Sequence, residues 1–145
     1  MDAQLQNLLD REAIHEVLVR YATALDDRDW DRLASCFAED AIADYGSGVF
    51  DGPVAIVDLC RQMLSPLQVS QHLLGSFEIT ISGKTATSRC YFHAQHVKPG
   101  LDGGDQLIIA GTYEDSLQKS ADQWQIRKRR LVATWQKGNP AVLDL

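Results

Sequence analysis

The first half of the chain has apolar residues at helical spacing. A short second helix is predicted after Asp29, whose side chain suits the N-cap position, and a third between Gly52-Pro53 and Ser65-Pro66. The segment "AEDAIADYGSGVFDGP" predicts a short strand or two with turns. Between about residues 10 and 26, three- and four-residue spacing predicts an amphipathic first helix, whose apolar residues are Ile14, Val17, Leu18, Tyr21, Ala22 and Leu25.

The second half of the chain alternates with a period of two. Such alternation is found in "HLLGSFEITIS", "TATSRCYFHAQHV", "DQLIIAGTYEDSLQ" and "QWQIRKRRLVATW", and the segments between them are typical of turns. Helices followed by a strand meander predict an α+β fold, a cone-shaped α+β barrel in which the N-terminal helices pack on a curved antiparallel sheet. At 145 residues the chain has the size of one domain, with room for a core and a cavity.

One carboxylate breaks the helical pattern. Asp26 lies four residues after Ala22 and one after Leu25, at the margin of the buried face of the first helix. It also lies near the C-terminal end of that helix, where the helix dipole disfavours a negative charge by about 0.3–1 kcal/mol. Residues that depart from the local structural pattern in this way are most common at functional sites. The alternative is that Asp26 belongs to the turn, where it is solvated or caps the next helix.

The histidines are candidate partners for a partly buried carboxylate. His93 and His96 project to opposite faces of one predicted strand, so they do not form a pair of metal ligands. His96 lies on the more apolar face, and we expect it to point inward, either to a site or as a hydrogen-bonded core residue. His72 has the opposite parity to the apolar residues of its strand, but a bulge near Gly75 would bring it to the inner face.

The predicted cavity is apolar and shows no sign of a cofactor site. The sequence has no glycine-rich phosphate loop, no metal-ligand cluster and no nucleophile motif, so it predicts neither a cofactor nor a metal ion. An apolar lining suits a hydrophobic ring substrate. The strand positions that we expect to line the cavity are Phe92, Ala94, Leu107, Ile109, Leu131 and Ala133.

Charge and composition argue against some classes of binding partner and predict where the protein is located in the cell. A net charge of −6 argues against nucleic acid or an anionic membrane as the main partner. No run approaches the roughly 20 apolar residues of a membrane span, and the N-terminus lacks a signal-peptide pattern. Widely spaced Cys36, Cys60 and Cys90 suit reduced, packed thiols. We therefore expect a soluble, cytoplasmic protein with a small-molecule partner.

Three segments carry a family resemblance. "RYATALDDRDWDRLASCFAEDAIADYGSG", "QHLLGS" and "AGTYEDS" resemble the SnoaL-like branch of the NTF2-like superfamily, and the similarity extends over nearly the whole chain. Scytalone dehydratase, bile acid 7α-dehydratase and hexachlorocyclohexane dehydrochlorinase are close in pattern within that branch. The resemblance implies a catalytic aspartate at Asp26 that orients a catalytic histidine at His72.

Further site residues follow from the same resemblance. Tyr45 matches a tyrosine that assists both dehydratases, and Tyr21 matches one in the bile acid enzyme. Arg129 falls where the dehydrochlorinase has a catalytic arginine, although "RKRR" is otherwise most simply an exposed strand. His96 resembles the second histidine of scytalone dehydratase, with an alignment offset of about two positions. Other polar site residues of these enzymes are replaced here by Ala94, Gly111, Tyr113 and Ala133, so the substrate does not transfer.

The expected function is that of a cofactor-independent lyase or isomerase. The resemblance implies a dehydratase, isomerase or cyclase, with a lyase preferred, that acts on a hydrophobic cyclic ketone or polyketide-like molecule by His-Asp acid–base catalysis. The alternative is a non-catalytic binding or assembly module, because fold alone does not determine function. Relatives are often dimers or trimers built on the open sheet face, to which Trp124, Trp135 and Tyr113 are expected to contribute.

Overall fold

The computed structural model describes residues 2–145, which form helices on one side of a single curved sheet. The sheet has six strands in the order β2-β1-β6-β5-β4-β3. The helices are α1 (Ala3–Asp27), α2 (Trp30–Ala34) and α3 (Gly52–Leu64), and a final 3-10 turn spans Pro140–Leu143. The strands are β1 (Phe37–Asp44), β2 (Val49–Asp51), β3 (Val69–Ser82), β4 (Thr85–Val97), β5 (Gln106–Ser120) and β6 (Gln123–Gly138).

Both ends of α1 are capped. The Asp2 side chain accepts a hydrogen bond from the Gln4 backbone, and the helix therefore begins seven residues before the predicted start at about residue 10. At the other end, Arg28 adopts a left-handed conformation with φ of 58°, and its backbone N–H donates to Ala24 O and Leu25 O. This cap stops the helix immediately after the segment that carries Asp26.

The predicted α+β fold is confirmed, and the sheet is mixed. Strands β3 to β6 form the predicted antiparallel meander, and β1 pairs with β2 in the same sense. However, β1 lies parallel to β6, because the chain leaves α2 and enters the sheet beside its last strand. The strand pattern did not predict this parallel pair. Antiparallel pairing therefore holds for every neighbouring pair except β1 and β6.

A bulge in β3 reverses the parity of that strand. The register with β4 shifts between Gly75 and Glu78, and Ser76 has a positive φ of 52°. As a result, His72 pairs with Ala94 and Ile79 pairs with Ser88, so both residues face the inner side of the sheet. The bulge predicted near Gly75 is confirmed.

Two further irregularities shape β5 and β6. The register shifts between Ser116 and Leu117, which turns Arg129 inward in place of Lys128. A second shift follows Ala110, and a Cβ atom added at the neighbouring Gly111 would lie 1.9 Å from Val132 O. Only glycine fits this close backbone approach.

The core lies between the helices and the inner face of the sheet. It includes all three cysteines, which are free and buried. Trp124 and Tyr113 were predicted on the outer sheet face, but both belong to this core, since Trp124 Nε1 donates to Asp10 of α1 and Tyr113 packs against Tyr21. No helix in the described part of the chain is long and apolar enough to cross a membrane.

Candidate active site

The carboxylate of Asp26 is paired with His72. Asp26 Oδ1 lies 2.7 Å from His72 Nδ1, and Asp26 Oδ2 accepts a hydrogen bond of 2.8 Å from the His72 backbone N–H. Because a carboxylate can only accept, the imidazole carries its proton on Nδ1, which leaves Nε2 as the nitrogen with a free lone pair. His72 lines the internal cavity.

The environment of Asp26 favours its charged form. Burial by itself would raise the pKa of Asp26, but the hydrogen bonds from His72 and Ser70 outweigh burial and lower the pKa below its ordinary value. Ser70 Oγ donates to Asp26 Oδ1 at 3.2 Å and accepts from Arg28 Nη1 at 2.8 Å. Neither Ser70 nor Arg28 was predicted from the sequence, because no local pattern relates them to Asp26.

His96 lies beside His72 and is neutral. The two rings meet edge to face, with centroids 5.9 Å apart, and both line the cavity. Burial lowers the pKa of His96 to about 4. Its Nδ1 lies 3.0 Å from Leu107 O, so Nδ1 donates to that carbonyl and Nε2 is an acceptor. His96 therefore faces inward, and its ring is also hydrogen-bonded to the backbone.

Two tyrosines meet at the cavity, one from α1 and one directly after β1. The hydroxyl groups of Tyr21 and Tyr45 are 2.8 Å apart, and the Cys60 thiol lies 3.8 Å from the Tyr45 hydroxyl. Burial raises the pKa of both phenols well above the ordinary value. Both tyrosines therefore keep their protons and are available as hydrogen-bond donors. The structure brings them to the same cavity as His72.

The cavity has a volume of about 590 Å³, which is large enough for a bicyclic molecule. Leu107 was predicted to line it but is completely buried and lies outside the lining, where its carbonyl holds His96. The other predicted lining residues do line it, namely Phe92, Ala94, Ile109, Leu131 and Ala133. Helix α3 and the C-terminal turn also contribute to the wall, which the sequence did not predict, through Leu59, Cys60, Met63, Leu64, Val142 and Leu143.

Arg129 does not line the cavity, so its predicted contact with a substrate is corrected. Its guanidinium is completely buried, and Nε and Nη2 each lie 2.8 Å from a carboxylate oxygen of Asp115. The rings of Tyr21 and Tyr113 stack on it, each with a centroid 4.0 Å away. The shift in register between β5 and β6 places Arg129 beneath the cavity wall rather than on the exposed face that "RKRR" indicated.

The described residues contain no group of three or more His, Cys, Asp or Glu side chains that could hold a metal ion. The acid–base groups that line the cavity include His72, His96 and the tyrosine pair. This arrangement can accept a proton at His72 and donate hydrogen bonds from a tyrosine hydroxyl group. Independence from a cofactor stays a prediction.

Comparison with known proteins assigns the family. Residues 6–130 match the model of the SnoaL-like domain. The chain belongs to the SnoaL-like family. An uncharacterized protein of Mycobacterium tuberculosis strain H37Rv is 34% identical over 135 residues, which cover 88% of each chain. "Terrestric acid biosynthesis cluster protein E" of Penicillium crustosum is 30% identical over 141 residues, which cover 93% of this chain and 90% of the fungal protein.

A solved structure of an enzyme has the same fold as this SnoaL-like chain. The hexachlorocyclohexane dehydrochlorinase LinA-type3 of Novosphingobium barchaimii LL02 superimposes with a TM-score of 0.85 at 19% sequence identity, over 95% of each chain. At this level of identity the similarity establishes the NTF2-like fold alone.

Proposed function

We propose that the protein is a cofactor-independent lyase of the dehydratase type, with isomerase or cyclase chemistry as the related possibilities. Its substrate is a hydrophobic cyclic ketone or polyketide-like molecule with a hydroxyl group in the β position. The main support for the proposal is the distance of 2.7 Å between Asp26 Oδ1 and His72 Nδ1, at a histidine that lines an internal cavity. A binding protein would not need a tautomer held in this way.

His72 acts as the base and then as the acid. Its Nε2 removes a proton from the carbon next to the ketone, and the electron pair of that C–H bond forms an enolate. The carbon–carbon double bond then forms as the carbon–oxygen bond to the β-hydroxyl breaks. The imidazolium returns its proton to the departing hydroxyl, which leaves as water. Asp26 orients the ring and stabilises the charged imidazolium between the two steps.

The tyrosine pair supplies a donor for the developing oxyanion. A hydrogen bond between the Tyr21 and Tyr45 hydroxyls uses one phenolic proton, so the second phenolic proton remains free. That proton can donate to the ketone oxygen as negative charge builds on it in the enolate. Since the raised pKa values keep both phenols protonated, this donor is present throughout the neutral pH range.

His96 favours a hydroxyl leaving group over a halide. Its neutral Nε2 is an acceptor, and an acceptor stabilises an O–H donor but repels a departing halide ion. The name of the Penicillium relative refers to the biosynthesis cluster of an acidic natural product, and this supports a substrate from small-molecule biosynthesis. Dehydration of a hydroxylated intermediate in such a pathway fits the proposed chemistry.

The test is the dehydration of the β-hydroxy derivative of α-tetralone, which yields α-naphthol and can be monitored by absorbance. We expect His72→Ala to lower kcat/KM by about 10²–10⁴-fold. The control is His93→Ala, because His93 lies on the opposite face of the sheet, next to Trp135. Full activity in His72→Ala would refute the proposal. Binding of the ketone without turnover by the wild type would favour the non-catalytic binding module.

A homo-oligomer and a cytoplasmic location belong to the same proposal. The outer sheet face exposes Leu73, Tyr91 and Trp135 by 64%, 51% and 49%, and a second copy could cover these side chains. Light scattering after size-exclusion chromatography measures the mass directly. We expect a dimer or trimer for the wild type and a shift towards the monomer for Trp135→Glu.

The proposed cytoplasmic location is supported by the three cysteines. Their thiols are free, which fits a reducing compartment.

A further inference from the structure

Arg28 ends α1 with a side chain that the backbone cap does not need. It has a left-handed backbone with φ of 58°, and the cap is made by its backbone N–H. Glycine adopts this conformation without strain and is the usual residue at such a position. Because glycine would provide the same backbone N–H, the backbone part of the cap does not explain why an arginine is present. Backbone outliers of this kind are frequent at functional sites.

The Arg28 side chain folds back towards the carboxylate of Asp26. Its Nη1 donates to Leu25 O at 2.7 Å and to Ser70 Oγ at 2.8 Å. Asp26 itself extends from the last turn of the helix, so Arg28 joins the helix end to strand β3, which carries both Ser70 and His72. Burial lowers the pKa of Arg28, while the nearby charge of Asp26 acts in the opposite direction.

The direction of the hydrogen bonds through Ser70 is determined. An arginine can only donate, so Ser70 Oγ accepts from Arg28 and its single proton is available for another partner. That partner is Asp26 Oδ1, at 3.2 Å. Ser70 is 4% exposed, so water does not compete easily for its hydroxyl. Arg28 therefore sets the orientation of the Ser70 hydroxyl, and Ser70 in turn holds the Asp26 oxygen that contacts His72 Nδ1.

We propose that Arg28 and Ser70 are positioning residues, which hold the Asp26 carboxylate in the orientation that fixes the tautomer and ring position of His72. The catalytic consequence of this role rests on the proposed function. The structural role does not, since it concerns only the hydrogen bond between Asp26 and His72. Neither residue lines the cavity. Of the two, only Ser70 touches the carboxylate side chain, and Arg28 acts through it.

Arg28→Gly separates capping from positioning. It keeps the backbone cap and relieves the left-handed strain, but it removes the side-chain donor to Leu25 O and to Ser70, whereas Ser70→Ala leaves the bond to Leu25 O in place. The matched control is Asp122→Gly, which makes the same backbone change at φ of 60° in the exposed turn after β5. We expect the Tm of Arg28→Gly to stay within about 4 °C of the control. We expect kcat to fall by about 10-fold to 100-fold with little change in KM, because the base is misplaced.

The decisive readout is the NMR signal of the His72 Nδ1 proton, which needs no substrate. In the wild type and in Asp122→Gly we expect a downfield, slowly exchanging signal. In Arg28→Gly and Ser70→Ala we expect it to broaden or vanish, and Arg28→Lys should restore it in part. An unchanged signal in both Arg28→Gly and Ser70→Ala overturns the proposal, even if His72→Ala has confirmed the proposed function. Conversely, loss of the signal supports positioning even if no ketone is converted.

Discussion

Two of the pairs that a carboxylate forms with a nitrogen base in this protein have opposite roles. In the pair of Asp26 and His72 the side chains retain 22% and 7% of their exposure, and the histidine lines the cavity. In the pair of Asp115 and Arg129 neither side chain has any exposure. The first pair faces a volume that a substrate can enter, and the second is closed off beneath the cavity wall.

The difference shows that a buried charge pair becomes a chemical site only if one partner can exchange a proton. Burial opposes the charge of Arg129, but Asp115 outweighs burial and raises the pKa of the guanidinium well above its ordinary value. Such a group does not release a proton, whereas an imidazole can both accept and release one. We call Asp26 and His72 the open pair, and Asp115 and Arg129 the closed pair. Breaking the open pair should therefore remove activity, and breaking the closed pair should lower the free energy of unfolding.

The largest expected effect comes from breaking the open pair. Asp26→Asn keeps the shape of the side chain but removes the charge that orients and stabilises the His72 imidazolium. We expect kcat/KM to fall by about 10²–10⁴-fold, equivalent to about 3–5.5 kcal/mol in the activation barrier. The free energy of unfolding should fall by less than about 2 kcal/mol. A variant with normal kinetics would remove the basis for calling this pair catalytic.

Breaking the closed pair should have its main effect on stability. Asp115→Ala leaves the Arg129 charge buried without a partner, and we expect the free energy of unfolding to fall by about 3–5 kcal/mol in a urea titration. The double variant Asp115→Leu with Arg129→Met should recover much of this loss, because it leaves no unpaired charge. A small loss in the single variant would mean that water reaches the guanidinium.

Low pH should lower the free energy of unfolding through His96, which lies beside the open pair. The folded state keeps His96 neutral down to about pH 4, whereas its ordinary pKa is 6.5, so between these values the unfolded chain binds more protons. Stability from this residue is thus complete above pH 6.5 and is lost as the pH falls towards 4, by about 3 kcal/mol. Unfolding titrations of the wild type and His96→Gln across this window measure the difference. An equal pH dependence of the two proteins would contradict the burial of a neutral ring.

The smallest expected effect comes from a conservative change in the closed pair. Arg129→Lys keeps the positive charge, but it loses the two parallel hydrogen bonds to Asp115 and the flat surface between Tyr21 and Tyr113. We expect the free energy of unfolding to fall by about 1–2 kcal/mol. Activity at saturating substrate should change by less than about 10-fold, since Arg129 does not line the cavity. A much larger loss of kcat would mean that the guanidinium acts on the reaction through the tyrosines.

Much of the fold and part of the candidate site could be predicted from local patterns. Helical spacing and strict alternation predicted the order of helices and strands, and the misplaced Asp26 marked one candidate site residue, whereas its pairing with His72 followed from the family resemblance. The parallel pairing of β1 with β6 could not be predicted, because no local signal specifies which strand lies beside a distant one. The predicted face of Arg129 was also wrong, because a bulge in β6 moves the residues after it to the other side, up to the second register shift opposite Ala110 and Gly111.

The amino-acid sequence by itself determined the periodicity of each element, and hence which residues are apolar, where the helices end and which titratable groups lie near the interior. The tertiary structure alone decided which of these groups meet. Asp26 and Ser70 are 44 residues apart in the chain, and Asp26 and His72 are 46 apart. Their contacts depend on how α1 docks on the sheet and on a single bulge in β3. Propensity is a property of neighbouring residues, whereas register and docking depend on packing of the whole core.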